Sequence, residues 1–139
     1  MGSLSALSAG LQNSGVGTVV AEMILKVFGQ NPSTFLITTV LFFTIAILTQ
    51  LMSNTATILL FMPIAISVAE SIGVSVYPVA MIVTLAGAAS YATPFAAPQN
   101  MLAVGWTNYK FMDFVKVGIP MVLLTYLVVI CLIPIVMPF

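Results

Sequence analysis

The chain has 139 residues, 61% hydrophobic and only 4% charged, with three basic and three acidic side chains, no histidine and no net charge. A soluble domain carries roughly a quarter charged residues, so this chain cannot cover a water-facing surface, and with a mean hydropathy of +1.22 it reads as a multi-pass integral membrane protein. The scattered charges (Glu22, Lys26, Glu70, Lys110, Asp113, Lys116) form no basic patch for nucleic acid.

Without histidine, and with Cys131 as the single cysteine, most metal sites, disulfides and Ser/His or Cys/His catalysis are excluded. An enzyme is therefore not expected. Cys131 stands in an apolar run and reads as a small buried hydrophobe.

Residues 1–15 lack a basic region ahead of their apolar part, so they do not read as a signal peptide. Their Gly, Ala and Ser content suits a helix that approaches its neighbours closely. Residues 16–28 continue this helical region, with Glu22 and Lys26 four apart and able to pair on one face. Gly29 to Pro32 mark a turn, with Ser33 or Thr34 at the start of the next helix. Residues 33–52 are apolar, uncharged and long enough to span a bilayer at about 1.5 Å per residue.

Ser53, Asn54 and Thr55 then interrupt the apolar sequence. Residues 56–72 resume an apolar helix, broken by Pro63 and ending at Glu70 and Gly73. Residues 76–91 are short for a span and rich in Gly and Ala towards their end. In residues 92–100, ATPFAAPQN, two prolines remove backbone donors and disfavour helix at the residues before them. A short apolar piece at 101–106 leads to a polar corner, TNYKFMDFVK, and residues 117–137 form the last span, with Pro120 near its start.

Helices thus break at two polar places within apolar sequence, 53–55 and 92–100. Irregular backbone at membrane depth is tolerated only where protein buries it or where it lines a wet cavity. The ends of a broken helix present N–H groups to anions and carbonyls to cations. Two readings follow. The hydroxyl and amide groups either bridge packed helices, at about 0.6 kcal/mol per bond, or they wait for a ligand.

At these residues the chain resembles the second half of a divalent anion:sodium symporter, the family of di- and tricarboxylate and sulfate permeases. The resemblance rests on SNTATILLFMPI (Ser53–Ile64), ATPFAAPQNM (Ala92–Met101) and NYKFMDFVKVGIP (Asn108–Pro120), in that order, and extends weakly back to residues 10–15. It implies an all-α membrane fold, one half of an inverted repeat, with a re-entrant helical hairpin tipped by the SNT triplet and a broken transmembrane helix facing it. Residues 33–52 and 56–72 would be the hairpin arms, and residues 92–100 the unwound loop.

On this resemblance sodium sits between tip and loop, held by Thr49, Ser53, Asn54, Ala92 and Thr93, by the all-oxygen logic of hard cations. The small anionic substrate contacts Asn54 and Thr55, with Thr93 and Pro94 on the other wall and Thr57, Gln99 and Asn100 nearby. Sodium acts as coupling ion, and no organic cofactor is implied. Only one SNT occurs, whereas a whole transporter of this kind has two. Residues 1–139 are therefore expected to be a single transmembrane domain, a fragment or half-transporter whose partner is the N-terminal half or a second copy, homodimeric when complete. Positive-inside counting puts the Lys110–Lys116 corner in the cytoplasm, most naturally at a plasma (inner) membrane. A sodium-independent uniporter or channel, and a structural membrane subunit, stand as alternatives.

Overall fold

In the computed structural model the described residues are 33–138, with Ala6, Gly10, Val19, Glu22 and Lys26 as isolated described positions ahead of them. The helical region expected over residues 1–28 and the turn at 29–32 lie outside the described residues, apart from those isolated positions, at which Glu22 and Lys26 are exposed. The described residues form five helices and no strand: α1 (Thr34–Leu48), α2 (Asn54–Ile72), α3 (Val76–Ala88), α4 (Pro98–Trp106) and α5 (Phe111–Val136).

The first helix is shorter than its apolar sequence suggests. Ser33 caps α1, its hydroxyl accepting from the Leu36 N–H at 3.3 Å. The helix then stops at Leu48 instead of running to 52, because Thr49 and Gln50 turn their side chains to other elements and the chain closes in tight turns over 49–52. Its 15 residues reach roughly 22 Å. That is short of a hydrocarbon core of about 30 Å.

Ser53 then caps α2, accepting from the Ala56 N–H, so the second helix begins at Asn54, inside the SNT triplet. It runs unbroken through Pro63. Proline here removes one ladder bond without ending the helix. Gly73 closes α2 with φ 71°, the left-handed conformation that glycine adopts without a Cβ penalty.

The third helix lies between the first two: α3 packs extensively against both α2 and α1, which touch each other far less. Its inward residues Val79, Ile82, Val83 and Ala86 join Ile37, Phe42 and Ile45 of α1 and Ala65, Val68 and Ala69 of α2 in one core. Gly87 faces Ile58 of α2 with no room for a Cβ unless that side chain moves.

The non-helical segment after α3 covers 89–97, beginning earlier and ending sooner than the expected 92–100. Pro98 occupies the first turn of α4, where its missing N–H costs nothing. The last helix starts at Phe111, ahead of the expected 117. The Asp113 carboxylate accepts from the Lys110 N–H at 2.9 Å and secures that start, leaving Pro120 and Pro134 inside the helix.

Among the described residues two helices are long and apolar enough to cross a membrane, α2 with a mean hydropathy of 1.8 and α5 with 2.7 over their most apolar 18 residues. Only 11% of the most apolar window of α5 is buried within the described structure. An outward-facing apolar helix of 26 residues needs lipid or another protein surface around it. Cys131 lies on this outward side and is exposed, which corrects the expectation that it is buried. The α5 helix is tied inward at Tyr126, whose ring lies 4.9 Å from Phe43 and 5.4 Å from Phe42. Thr39 already donates its hydroxyl proton to the Phe35 carbonyl, so in the 2.8 Å contact with Tyr126 the phenol is the donor.

Candidate functional site

The two chain breaks meet. The α1–α2 junction, residues 49–53, lies against the non-helical segment that follows α3, and side chains of the junction satisfy the backbone of the other element. Thr49 is buried, and its hydroxyl donates to the Gly87 carbonyl at 2.7 Å. Its oxygen also lies 3.1 Å from the side-chain amide of Asn54. A hydroxyl has one proton, and the shorter contact takes it. Asn54 therefore satisfies the longer one with its amide nitrogen, an orientation set by the network.

Gln50 makes the densest connection. Its amide nitrogen donates to the Ala46 and Ala89 carbonyls, both at 2.8 Å, and its amide oxygen accepts from the Ala92 N–H at 3.0 Å. Its main-chain carbonyl accepts the Thr93 hydroxyl at 2.8 Å. Asn100, in the first turn of α4, donates to the Ser90 and Thr93 carbonyls at 2.8 and 3.0 Å, so the segment is held from both sides. From the α5 side, Gly118 lies against the backbone of Tyr91 and Ala92, where a Cβ would collide.

Of the residues expected to hold sodium, Thr49 and Asn54 are neighbours at the junction, and Ala92 and Thr93 are brought to it through Gln50. Ser53 is exposed, and its side chain caps α2. Among the described residues no hydrogen bond reaches the Thr49 or Ala92 carbonyl oxygen. Of the residues expected to contact substrate, Thr55 is exposed, Asn54 and Thr93 are half-buried, and Pro94 is buried. Thr57 is buried and donates to the Ser53 carbonyl, while Gln99 is exposed.

Sequence reasoning missed Gln50. The available signal was an amide beside Thr49 in an uncharged apolar run, in the same stretch as the triplet that drew the reading. It also missed Gly118, legible only as a glycine inside a span.

The electrostatics are those of helix ends. The C-termini of α1 and α3 come together through Thr49 and Gln50, and carbonyl ends carry partial negative charge that favours a cation. The N-terminus of α2, starting at Asn54, presents free N–H groups that favour an anion. Among the described residues no group of three or more His, Cys, Asp or Glu is placed to hold a metal ion, and the oxygens that Thr49, Asn54, Ala92 and Thr93 offer at the junction are neutral. A cavity of about 350 Å³ adjoins the segment on its α5 side, lined by Tyr91, Asn100, Tyr109 and Asp113 among others.

Known proteins are similar to this chain in sequence. The sequence profile of the citrate transporter family matches residues 1–139. The chain is 39% identical over 129 residues to the uncharacterised transporter YfbS of Escherichia coli (strain K12), covering 93% of this chain and 21% of that protein. It is 32% identical over 116 residues to the Na(+)/citrate cotransporter of Rattus norvegicus, covering 84% and 20%. It is 27% identical over 135 residues to the sodium-dependent dicarboxylate transporter SdcS of Staphylococcus saprophyticus, covering 96% and 25%. The chain thus spans about a fifth to a quarter of the length of these relatives. A family profile that covers the whole chain, the similarity to these relatives and an apolar all-helical fold agree: this integral membrane chain belongs to the citrate transporter family, a family of transporters and not of enzymes.

Proposed function

We propose that the chain is the C-terminal repeat of a sodium-coupled transporter of small divalent anions, di- or tricarboxylates or sulfate, and that it supplies half of the binding site. The observation that carries this reading is the meeting of two polar chain breaks, with Gln50 on one side and Ala92 and Thr93 on the other. In the reading, α1 and the junction form a re-entrant hairpin with α2, supported by the shortness of α1, while α3 and α4 are the two halves of one broken helix.

Sodium binds where the carbonyl ends of α1 and α3 converge, near Thr49, Ser53, Asn54, Ala92 and Thr93. The anion sits at the N-terminus of α2, against Asn54 and Thr55, with Thr93 and Pro94 opposite. The chain contains no Arg or His, and its three Lys residues are Lys26, Lys110 and Lys116. A dianion at this site is therefore neutralised by helix ends and bound cations. Sodium binding orders the tip and makes the field favourable to the anion, which is the basis of coupling. The other half of the site comes from the N-terminal repeat, and the complete transporter is a homodimer in the plasma (inner) membrane with the Lys110–Lys116 corner in the cytoplasm.

The test is uptake of radiolabelled citrate, succinate and sulfate by vesicles containing the complete transporter, with sodium or choline outside. Uptake of at least one anion that collapses in choline supports the reading. Uptake that is equal in the two salts identifies a uniporter or channel and overturns it.

A further inference from the structure

We infer that Gln50 is a positioning residue that sets the sodium affinity of this site by holding the non-helical segment 89–97 in its ion-binding shape. The inference rests on the proposed sodium-coupled reading and adds to it a residue outside the expected ligand set.

The argument begins with what a glutamine can do. Its amide has two N–H donors and one acceptor oxygen, and at position 50 all three functions are used. The donors go to the Ala46 carbonyl in the last turn of α1 and to the Ala89 carbonyl just past the end of α3. The oxygen takes the Ala92 N–H. Turning the amide over would oppose its oxygen to two carbonyls and its nitrogen to an N–H, so the orientation is unambiguous.

No other residue type fills this role. Glutamate has no donor when ionised, asparagine is one methylene shorter, and methionine has the length without the bonds. The main chain of the same residue adds a fourth bond, from Thr93. Gln50 thereby grips the segment at Ala89, Ala92 and Thr93, and two of these are expected sodium ligands.

The consequence follows from preorganisation. A binding segment without its own ladder hydrogen bonds is shaped either by the protein before the ion arrives or by the ion on arrival. In the second case binding must also supply the ordering of the segment, and affinity falls. Gln50 does this work beforehand. It is half-buried, and the 190 Å³ cavity beside it is lined by Phe43, Ala46, Ile47, Ala92, Ile119, Val122 and Leu123, so little water is available to replace lost bonds.

The test uses the complete transporter in proteoliposomes with Gln50→Met, which keeps length and apolar packing, and Gln50→Glu, which keeps the acceptor and loses both donors. Initial uptake rates are measured against sodium concentration, together with sodium-induced thermal stabilisation of the purified protein. For Gln50→Met the half-saturating sodium concentration is expected to rise about tenfold, with the maximal rate at saturating sodium within about twofold of the parent, the pattern of lost preorganisation. Gln50→Glu is expected to shift in the same direction. A folded variant with the parent's half-saturating sodium overturns the inference. So does a maximal rate that falls while sodium affinity holds, or a failure of both variants to fold, which would make Gln50 a folding determinant only. If the parent itself shows no sodium dependence, the proposed function fails, and that outcome is distinct from the others.

Discussion

The hydroxyl of Thr49 donates to the carbonyl of Gly87 across 2.7 Å, joining the end of α1 to the last turn of α3 at a fully buried point. The Gly87 carbonyl is one of those that a helix C-terminus leaves without an intrahelical partner. Thr49→Val keeps the shape and removes the donor, so an unsatisfied buried acceptor remains. We expect a loss of about 1–3 kcal/mol of stability, read as a lower melting temperature of the detergent-solubilised transporter, with Thr49→Ser close to the parent. Equal melting for Val and Ser would show that this bond contributes nothing.

The capping role of Ser53 can be separated from its proposed role at the sodium site. As N-cap of α2 it accepts from the Ala56 N–H, and replacing such a cap with Ala costs about 1 kcal/mol whereas Gly costs a few tenths. Ser53→Gly should therefore leave stability nearly intact while abolishing sodium-stimulated uptake, as should Asn54→Ala. Sodium dependence that survives in both variants would remove these residues from the ion site.

Gly118 allows α5 to touch the backbone of Tyr91 and Ala92, and any Cβ there meets main chain that cannot swing away. Gly118→Ala is expected to destabilise by about 1–3 kcal/mol and to weaken uptake by displacing the segment. Gly105→Ala serves as the contrast. Among the described residues nothing lies within 4 Å of a Cβ built at Gly105, and helix propensity favours Ala there by up to about 1 kcal/mol. Thermal melts of the two variants that move together would contradict this assignment.

The Tyr126 phenol ties α5 to α1 through Thr39. Tyr126→Phe retains the rings packed on Phe42 and Phe43 and loses one interhelical bond, at about 0.6 kcal/mol on the scale measured within membranes. A double-mutant cycle with Thr39→Val should return a coupling of that order. A coupling of zero would mean that this bond contributes nothing and that apolar packing holds the helices together.

Much of this arrangement is written in local sequence. Uninterrupted apolar runs announce the helices, Ser33 announces a start and Gly73 an end, because caps and breakers act through their own backbone, whereas Ser53 and Pro98, which read as parts of interruptions, turn out to begin α2 and α4. The polar triplet and the proline pair also announce that something interrupts the helices at 53–55 and 92–100. The end of α1 was not legible. Residues 49–52 are as compatible with continued helix as with a turn, and the turn exists because Thr49 and Gln50 find partners at Gly87 and Ala89, some forty positions later in the chain.

Gly118 and Cys131 teach the same lesson from opposite sides. Both sit in one apolar helix, and hydropathy cannot say which face meets the segment and which faces outward. By itself, the sequence determined from composition that this chain lives in a membrane, and from its polar residues and prolines that helices are interrupted near 53–55 and 92–100, while its motifs carried the resemblance to a family. Only the tertiary structure decided that the two breaks touch, and that Gln50 joins them. Hydrogen bonds between distant backbone groups depend on how α3 settles between α1 and α2, and that packing is a property of all three helices together.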